Sequence, residues 1–341
     1  MLLRCNCSSL GRRSFLAGAA ALASTRAIAQ PTLQCIDVHH HITPPGWLAA
    51  VKQAKLDNPP MANWTPQKSI EDMDKAGVAT AITSPTTPQV GFLQAADAAR
   101  IARESNEYAK RLMQDHPGRF GVFAMLPMPY IDESLKEIEY AFDVLHVDGI
   151  GMMTSYGDKW LGYKQFAPVF EELNRRKATV YTHPTGANCC VNLVQGIPEA
   201  TVEYGTDTTR TIASLIFSGA SQRYSDIAFI FSHGGGVLTA VAERFEIQMT
   251  STPPYKDTFT REIVDAQLRR FYYDTAQVSN TVTIGALAKL IPTSQIVFGT
   301  DFPYRNATEH VKGLAAAFSG DELQAIQCGN AQRILPRLKT T

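Results

Sequence analysis

The sequence has no excess of either charge: 32 lysines and arginines stand against 32 aspartates and glutamates over 341 residues. Such a balance implies no polyelectrolyte partner, so nucleic acid is not an expected ligand. Cysteine is scarce, six in all, and the spacing of Cys35, Cys189, Cys190 and Cys328 matches neither a zinc knuckle nor a disulfide framework. The adjacent Cys189 and Cys190 read as packing residues of a loop. The apolar run near the front, Ala17 to Ala23, falls far short of the roughly 18 to 20 residues that cross a bilayer. No low-complexity segment follows residue 30, and no glycine-rich nucleotide fingerprint follows the first expected strand. What is present is a 45% share of hydrophobic residues, enough for one large core.

The first thirty residues carry their own signal. Paired Arg12 and Arg13 precede Ser14-Phe15-Leu16, a weakly apolar stretch follows, and Ala27-Ile28-Ala29 offers a small-residue cleavage site before Gln30. This is the pattern of a twin-arginine export signal over residues 1–29, which makes the mature chain, 30–341, a periplasmic protein exported folded and without a stable membrane anchor. Cys5 and Cys7 leave with the signal. Folded export is consistent with a cofactor loaded in the cytoplasm.

Beyond the signal, apolar runs of strand length alternate with helical patterns. Strands are expected at 33–38, 78–83, 120–126, 149–153, 178–182, 227–232, 271–273 and 295–299, each followed by a helical segment. That rhythm predicts an α/β protein folded as a single (β/α)8 TIM barrel. An open doubly wound sheet is the alternative, set aside because its nucleotide fingerprint is missing. A helix is expected over 69–77, capped by Ser69 and stopped by Gly77, with others beginning near Thr208 and Gly236. The interval 44–68 is too long for an ordinary connection and reads as a cover segment over an active site.

Barrel enzymes carry their working residues at the C-terminal strand ends. Strand one ends in His39-His40-His41, strand five in Thr182-His183-Pro184, strand six in Ser232-His233-Gly234-Gly235-Gly236, and strand eight in Gly299-Thr300-Asp301-Phe302-Pro303. His39 and His41, two apart on a strand, share a face, and His40 must turn the other way. Imidazoles with one carboxylate can hold a divalent ion while leaving room for water or substrate, and Asp301 can also carry a proton. Asp274 closes strand seven, where it either approaches the site or bonds backbone amides. Asp207 and Arg210 fall at an expected helix start, where an acidic cap needs no further role. Trp47, Trp64, Phe92 and Tyr156 are candidates to wall a pocket for a ring, with Trp64 counted as substrate-binding.

At these residues, together with Asp207-Thr208-Thr209-Arg210 and Tyr273-Asp274-Thr275, the chain resembles the amidohydrolase superfamily over nearly all of its mature length. The likeness is to the branch holding aminocarboxymuconate semialdehyde, γ-resorcylate and 6-methylsalicylate decarboxylases, the last most of all. The resemblance implies that His39, His41, His183 and Asp301 ligate the metal, while His233 orients or deprotonates a metal-bound water and joins Asp301 in handling protons. It also implies that Arg244 reaches the substrate carboxylate in a neighbouring subunit, hence a homodimer, although the family's proline ahead of that arginine is Thr239 here. Strand four lacks the bridging lysine of binuclear relatives, and Lys159 lies several residues beyond it, so one divalent ion is expected, zinc ahead of manganese. The implied activity is nonoxidative decarboxylation of an aromatic or enol carboxylic acid. Metal-dependent hydrolysis of a lactone, amide or other small carbonyl substrate is the runner-up, strengthened by export. Hydration and noncatalytic exported binding stand further back.

Overall fold

A computed structural model describes residues 35–338; the export signal read over residues 1–29 lies outside them. Eight parallel strands follow one another around a ring: β1 (Cys35–His41), β2 (Val78–Ser84), β3 (Phe120–Met125), β4 (Gly149–Met153), β5 (Thr179–His183), β6 (Ala228–Phe231), β7 (Tyr272–Asp274) and β8 (Ile296–Val297). Each pairs with its successor in the chain. The ring closes just beyond β8, where Val38 N–H donates to Phe298 O at 2.9 Å, His41 N–H to Phe302 O at 2.7 Å, and Asp301 N–H to His39 O at 2.8 Å. An open doubly wound sheet would leave β1 and β8 as free edges. The fold is a (β/α)8 barrel with helices outside and one apolar filling within.

The barrel interior is filled by Ile36 and Val38 from β1, Ile82, Phe123, Tyr181, Ile230 and Val297. Phe123 and Tyr181 stack at 5.5 Å between ring centres, forming a floor beneath the upper strand ends. Strict alternation would turn His39 and His41 away from the side that Ile36 and Val38 face. The register shows why it does not. Asp37 opposes Ala81 while His40 already opposes Thr83, so the pair Val38 and His39 stands against Ile82 alone. This β-bulge switches the inward face from even to odd positions. His40 is left outside the barrel, held by Asp37 Oδ2 at 3.0 Å and Ser69 Oγ at 2.8 Å and stacked on Phe302.

Several local expectations are corrected. The helix over 69–77 starts earlier, at Pro66, with Thr65 as its cap: Thr65 Oγ1 accepts from Lys68 N–H at 3.3 Å, and proline in the first turn sacrifices no hydrogen bond. Gly77 ends it in the left-handed conformation, as expected. Ser69 is no cap but a buried bridge between His40 and the Trp64 indole N–H. The helix placed near Thr208 runs from Glu199 to Phe217, so Asp207 and Arg210 sit in its middle. Asp207 there accepts from Thr154 Oγ1 and Trp160 Nε1, tying the helix to the hairpin after β4. The helix expected from Gly236 starts at Leu238, because Gly236 takes φ 71° and a side chain on it would strike Gly205 O. Among the described residues no helix is long and apolar enough to cross a membrane.

Candidate metal centre

The upper strand ends bring five sequence-predicted side chains together. One ligand atom each from His39, His183, His233 and Asp301 lies within 4.8 Å of all the others, and all four residues are buried. His41 joins them: its Nε2 is 3.1 Å from His39 Nε2, and both nitrogens are 3.2 Å from Asp301 Oδ1. His233 Nε2 approaches the other carboxylate oxygen at 3.5 Å.

The imidazoles are oriented from behind. His41 Nδ1 faces Ser84 O at 3.2 Å and His183 Nδ1 faces Pro184 O at 2.8 Å; a carbonyl only accepts, so both Nδ1 atoms carry the proton. His39 Nδ1 meets Asp274 Oδ2 at 2.7 Å. With Nδ1 turned to these acceptors, His41 and His183 direct Nε2 lone pairs inward, and His39 can do the same when its Nε2 proton gives way to an ion. Two nitrogens 3.1 Å apart, beside a carboxylate oxygen, repel one another unless a proton or a cation lies between them. Asp301 Oδ1 and His233 Nε2 are both buried without a hydrogen-bond partner. Imidazoles braced from behind, with one carboxylate among them, form a donor set that fits a divalent ion, which would take the place of the His39 proton.

The electrostatics agree. Burial holds His183 well below the ordinary imidazole range and also lowers His41, keeping both neutral and ready to ligate. Burial works against a charged His39 as well, but the carboxylates of Asp274 and Asp301 reverse it and push that imidazole up to about 10. Burial would raise Asp301, yet the charge on His39 and the surrounding imidazoles hold the carboxyl well below its usual range. The pocket floor therefore favours one positive charge between two aspartates.

Asp274 turns out to do both things between which the sequence left it: besides His39 it accepts from His233 N–H at 2.8 Å and Ala276 N–H at 3.0 Å. Trp64 is not brought to the metal pocket; it is buried behind β1, its indole N–H donating to Ser69, and it borders a different cleft with Phe302 and Pro303. Trp47 is core, its N–H donating to Gln89 O. Phe92 and Tyr156 border a neighbouring cavity. Arg244 is exposed on the helix Leu238–Ser251, and Lys159 is exposed in the hairpin after β4.

The pocket over the metal ligands encloses about 180 Å³, and its walls include residues that sequence reasoning missed: Tyr204, Tyr304, Gln277, Asn58 and Thr86. Tyr304 stands edge-on to His41 at 6.0 Å and Tyr204 edge-on to His183 at 6.3 Å. Burial lifts both phenols to about 12, so they remain neutral donors. Asn58 Nδ2 donates to Tyr304 Oη at 3.2 Å and is the part of the expected cover segment that reaches the pocket. Tyr304 lies one residue past the Phe298–Pro303 motif and was open to notice. Tyr204 was hidden by the late helix start.

The chain is 36% identical over 322 residues to a 6-methylsalicylic acid decarboxylase of Aspergillus aculeatus, covering 89% of this chain and 96% of that one. It is 34% identical over 316 residues to the 6-methylsalicylic acid decarboxylase of Penicillium expansum, covering 89% and 97%. The crystal structure of a dihydroxybenzoic acid decarboxylase from a Polaromonas species, with bound manganese and the inhibitor 2-nitroresorcinol, superposes with a TM-score of 0.77 over 90% of this chain and 98% of that one, at 22% identity. A family model described as amidohydrolase matches residues 36–337, and the chain belongs to that family.

Proposed function

We propose that this protein is a metal-dependent carboxy-lyase that removes carbon dioxide, without an oxidant, from a single-ring hydroxybenzoate-type acid such as 6-methylsalicylate. The observation that carries this reading is the small tyrosine-walled pocket set directly on the histidine and aspartate cluster. A cavity of about 150 Å³ holds benzene, so 180 Å³ suits one substituted ring and its carboxyl group. The decarboxylase relatives supply the reaction class.

A divalent ion held by His39, His41, His183 and Asp301 would supply Lewis-acid chemistry toward the carboxylate or neighbouring hydroxyl oxygen of the substrate. The chain's own residues do the rest. His233, with Nε2 free of any partner, is placed to give a proton to the ring carbon that bears the carboxyl group. Breaking the bond to the carboxyl carbon then returns its electron pair to the ring as carbon dioxide departs. Tyr204 and Tyr304 confine the ring from two sides, and their neutral hydroxyls can hold its polar substituents. The Phe123–Tyr181 floor keeps water away from below.

Zinc ahead of manganese is supported by three imidazoles to one carboxylate in the donor set, since manganese prefers oxygen ligands. A homodimer is supported by Arg244, which is exposed with no ion-pair partner within 4.0 Å among the described residues, so that it is available to a neighbouring subunit's substrate. Periplasmic location rests on the arginine pair and the Ala27-Ile28-Ala29 site. The test is metal analysis of purified protein, then incubation with a hydroxybenzoate panel and a lactone panel. Carbon dioxide release without added oxidant is the expected result. Lactone opening in its absence would replace this reading with hydrolysis.

A further inference from the structure

Among the described residues, eight non-glycine residues adopt positive φ, and three of them meet at one carboxylate: His233 (φ 53°), Gln277 (φ 58°) and Asp301 (φ 66°). A left-handed backbone in such residues is costly, and it persists where the surroundings impose it, most often at functional sites. His233 and Asp301 already have roles. Gln277, in the turn after β7, has none in the proposed chemistry.

Its surroundings are specific. Gln277 Nε2 donates to Asp301 Oδ2, the same oxygen that His233 Nε2 approaches at 3.5 Å. The opposite oxygen, Oδ1, faces His39 and His41 and has no donor. The Gln277 backbone is pinned as well: its N–H donates to His310 Nε2 at 2.9 Å, and His310 Nδ1 donates in turn to Asn306 O at 3.0 Å. His310 is 1% exposed, a buried histidine that the proposed chemistry does not use. The Gln277 side chain lines the pocket and is open at its mouth.

We propose that Gln277, braced by His310, is a positioning residue that divides the two oxygens of Asp301. By occupying Oδ2 it leaves Oδ1 alone to face the ion, and it keeps the Asp301 carboxylate from rotating into the space where His233 must meet the ring. A carboxylate without this restraint can turn to present both oxygens to the ion or accept fully from His233, and either change misplaces the proton donor. The inference rests on the decarboxylase reading for its consequence in turnover. The coordination geometry it fixes is independent of any substrate.

Gln277→Gly and Gln277→Leu test it. Glycine relieves the left-handed backbone and removes the amide, so a merely structural role predicts an equal or higher melting midpoint and unchanged catalysis. The positioning role predicts that Gln277→Gly keeps its midpoint while kcat falls ~10–100-fold, the size seen when a ligand's supporting hydrogen bond is lost, with KM within about threefold. Both variants, loaded with cobalt(II), are expected to show an altered visible absorption spectrum. A wild-type cobalt spectrum in both variants, or full kcat in Gln277→Gly, overturns the proposal. If the unmodified protein turns over no aromatic acid, the proposed function fails, and the cobalt spectra still decide what Gln277 does to Asp301.

Discussion

The hydrogen bond behind His39 offers the sharpest test of the metal centre. Asp274 is fully buried and accepts three donors: His39 Nδ1 at 2.7 Å, His233 N–H at 2.8 Å and Ala276 N–H at 3.0 Å. Replacing it by alanine would strand all three and confuse metal binding with folding, since each buried unmet donor costs about 1–3 kcal/mol. Asp274→Asn keeps the shape. Its carbonyl oxygen can still take both backbone donors through the Oδ1 position, which leaves the amide nitrogen facing His39 Nδ1. Two N–H groups then oppose each other, and the imidazole escapes only by moving its proton to Nε2, the atom that must carry the lone pair for the ion. Loss of such a supporting carboxylate lowers metal affinity ~10–100-fold, or ~1.4–2.7 kcal/mol at about 1.36 kcal/mol per decade. Competition against a chromophoric chelator measures it directly, with thermal unfolding of the metal-free protein as the control. An affinity within about threefold of wild type, in a folded variant, would refute the claim that Asp274 sets the His39 tautomer.

The same geometry sets four further outcomes. His183→Ala is expected to lose bound metal by elemental analysis; unchanged content would remove His183 from the ligand set. His40→Gln is expected to keep its metal, because His40 points outside the barrel, but to lower chemical-denaturation stability by ~1–3 kcal/mol as the links to Asp37 and Ser69 weaken; metal loss would contradict the bulged register of β1. His233→Asn is expected to retain metal while carbon dioxide release from a good substrate falls at least ~100-fold, read by coupled assay, the scale of losing a general acid. Chelation of the native protein is expected to lower its melting midpoint, since free metal at about a hundredfold above Kd stabilises by about 2.7 kcal/mol; a midpoint indifferent to metal would argue against a site in the folded state.

The strands were legible because each is a run of apolar or β-branched residues, and the ligands because they terminate those runs: Val180-Tyr181-Thr182-His183 and Phe229-Ile230-Phe231-Ser232-His233 announce both strand and ligand. Helix starts were less so. Ser69 has the chemistry of a cap, but Thr65 with Pro66 in the first turn was the stronger signal. Glu199–Phe217 begins after Pro198, a start that the polar segment Glu199 to Asp207 disguised, and Tyr204 was lost with it. Trp64 shows the converse error, an aromatic residue near the right place whose indole the core claims. Gln277 and Asn58 carry no local mark of a place in the pocket; Asn58 reads only as the cap of the short helix Pro59–Ala62. Their positions in the pocket arise from strands and loops far apart in sequence, which periodicity and spacing do not report.

The extra residue in β1 separates two properties that usually travel together in a barrel. Below it the strand belongs to the apolar plug through Ile36 and Val38; above it the same strand contributes two imidazoles to the same interior. Shortening the strand by one residue at Val38 would leave enough chain to hydrogen-bond around the ring. It would also rotate the phase of the residues beyond that point, presenting the middle histidine to the centre and its two neighbours to the surrounding helices. The architecture can thus persist while its coordination chemistry is erased, and a single position of register decides which of the two the molecule has.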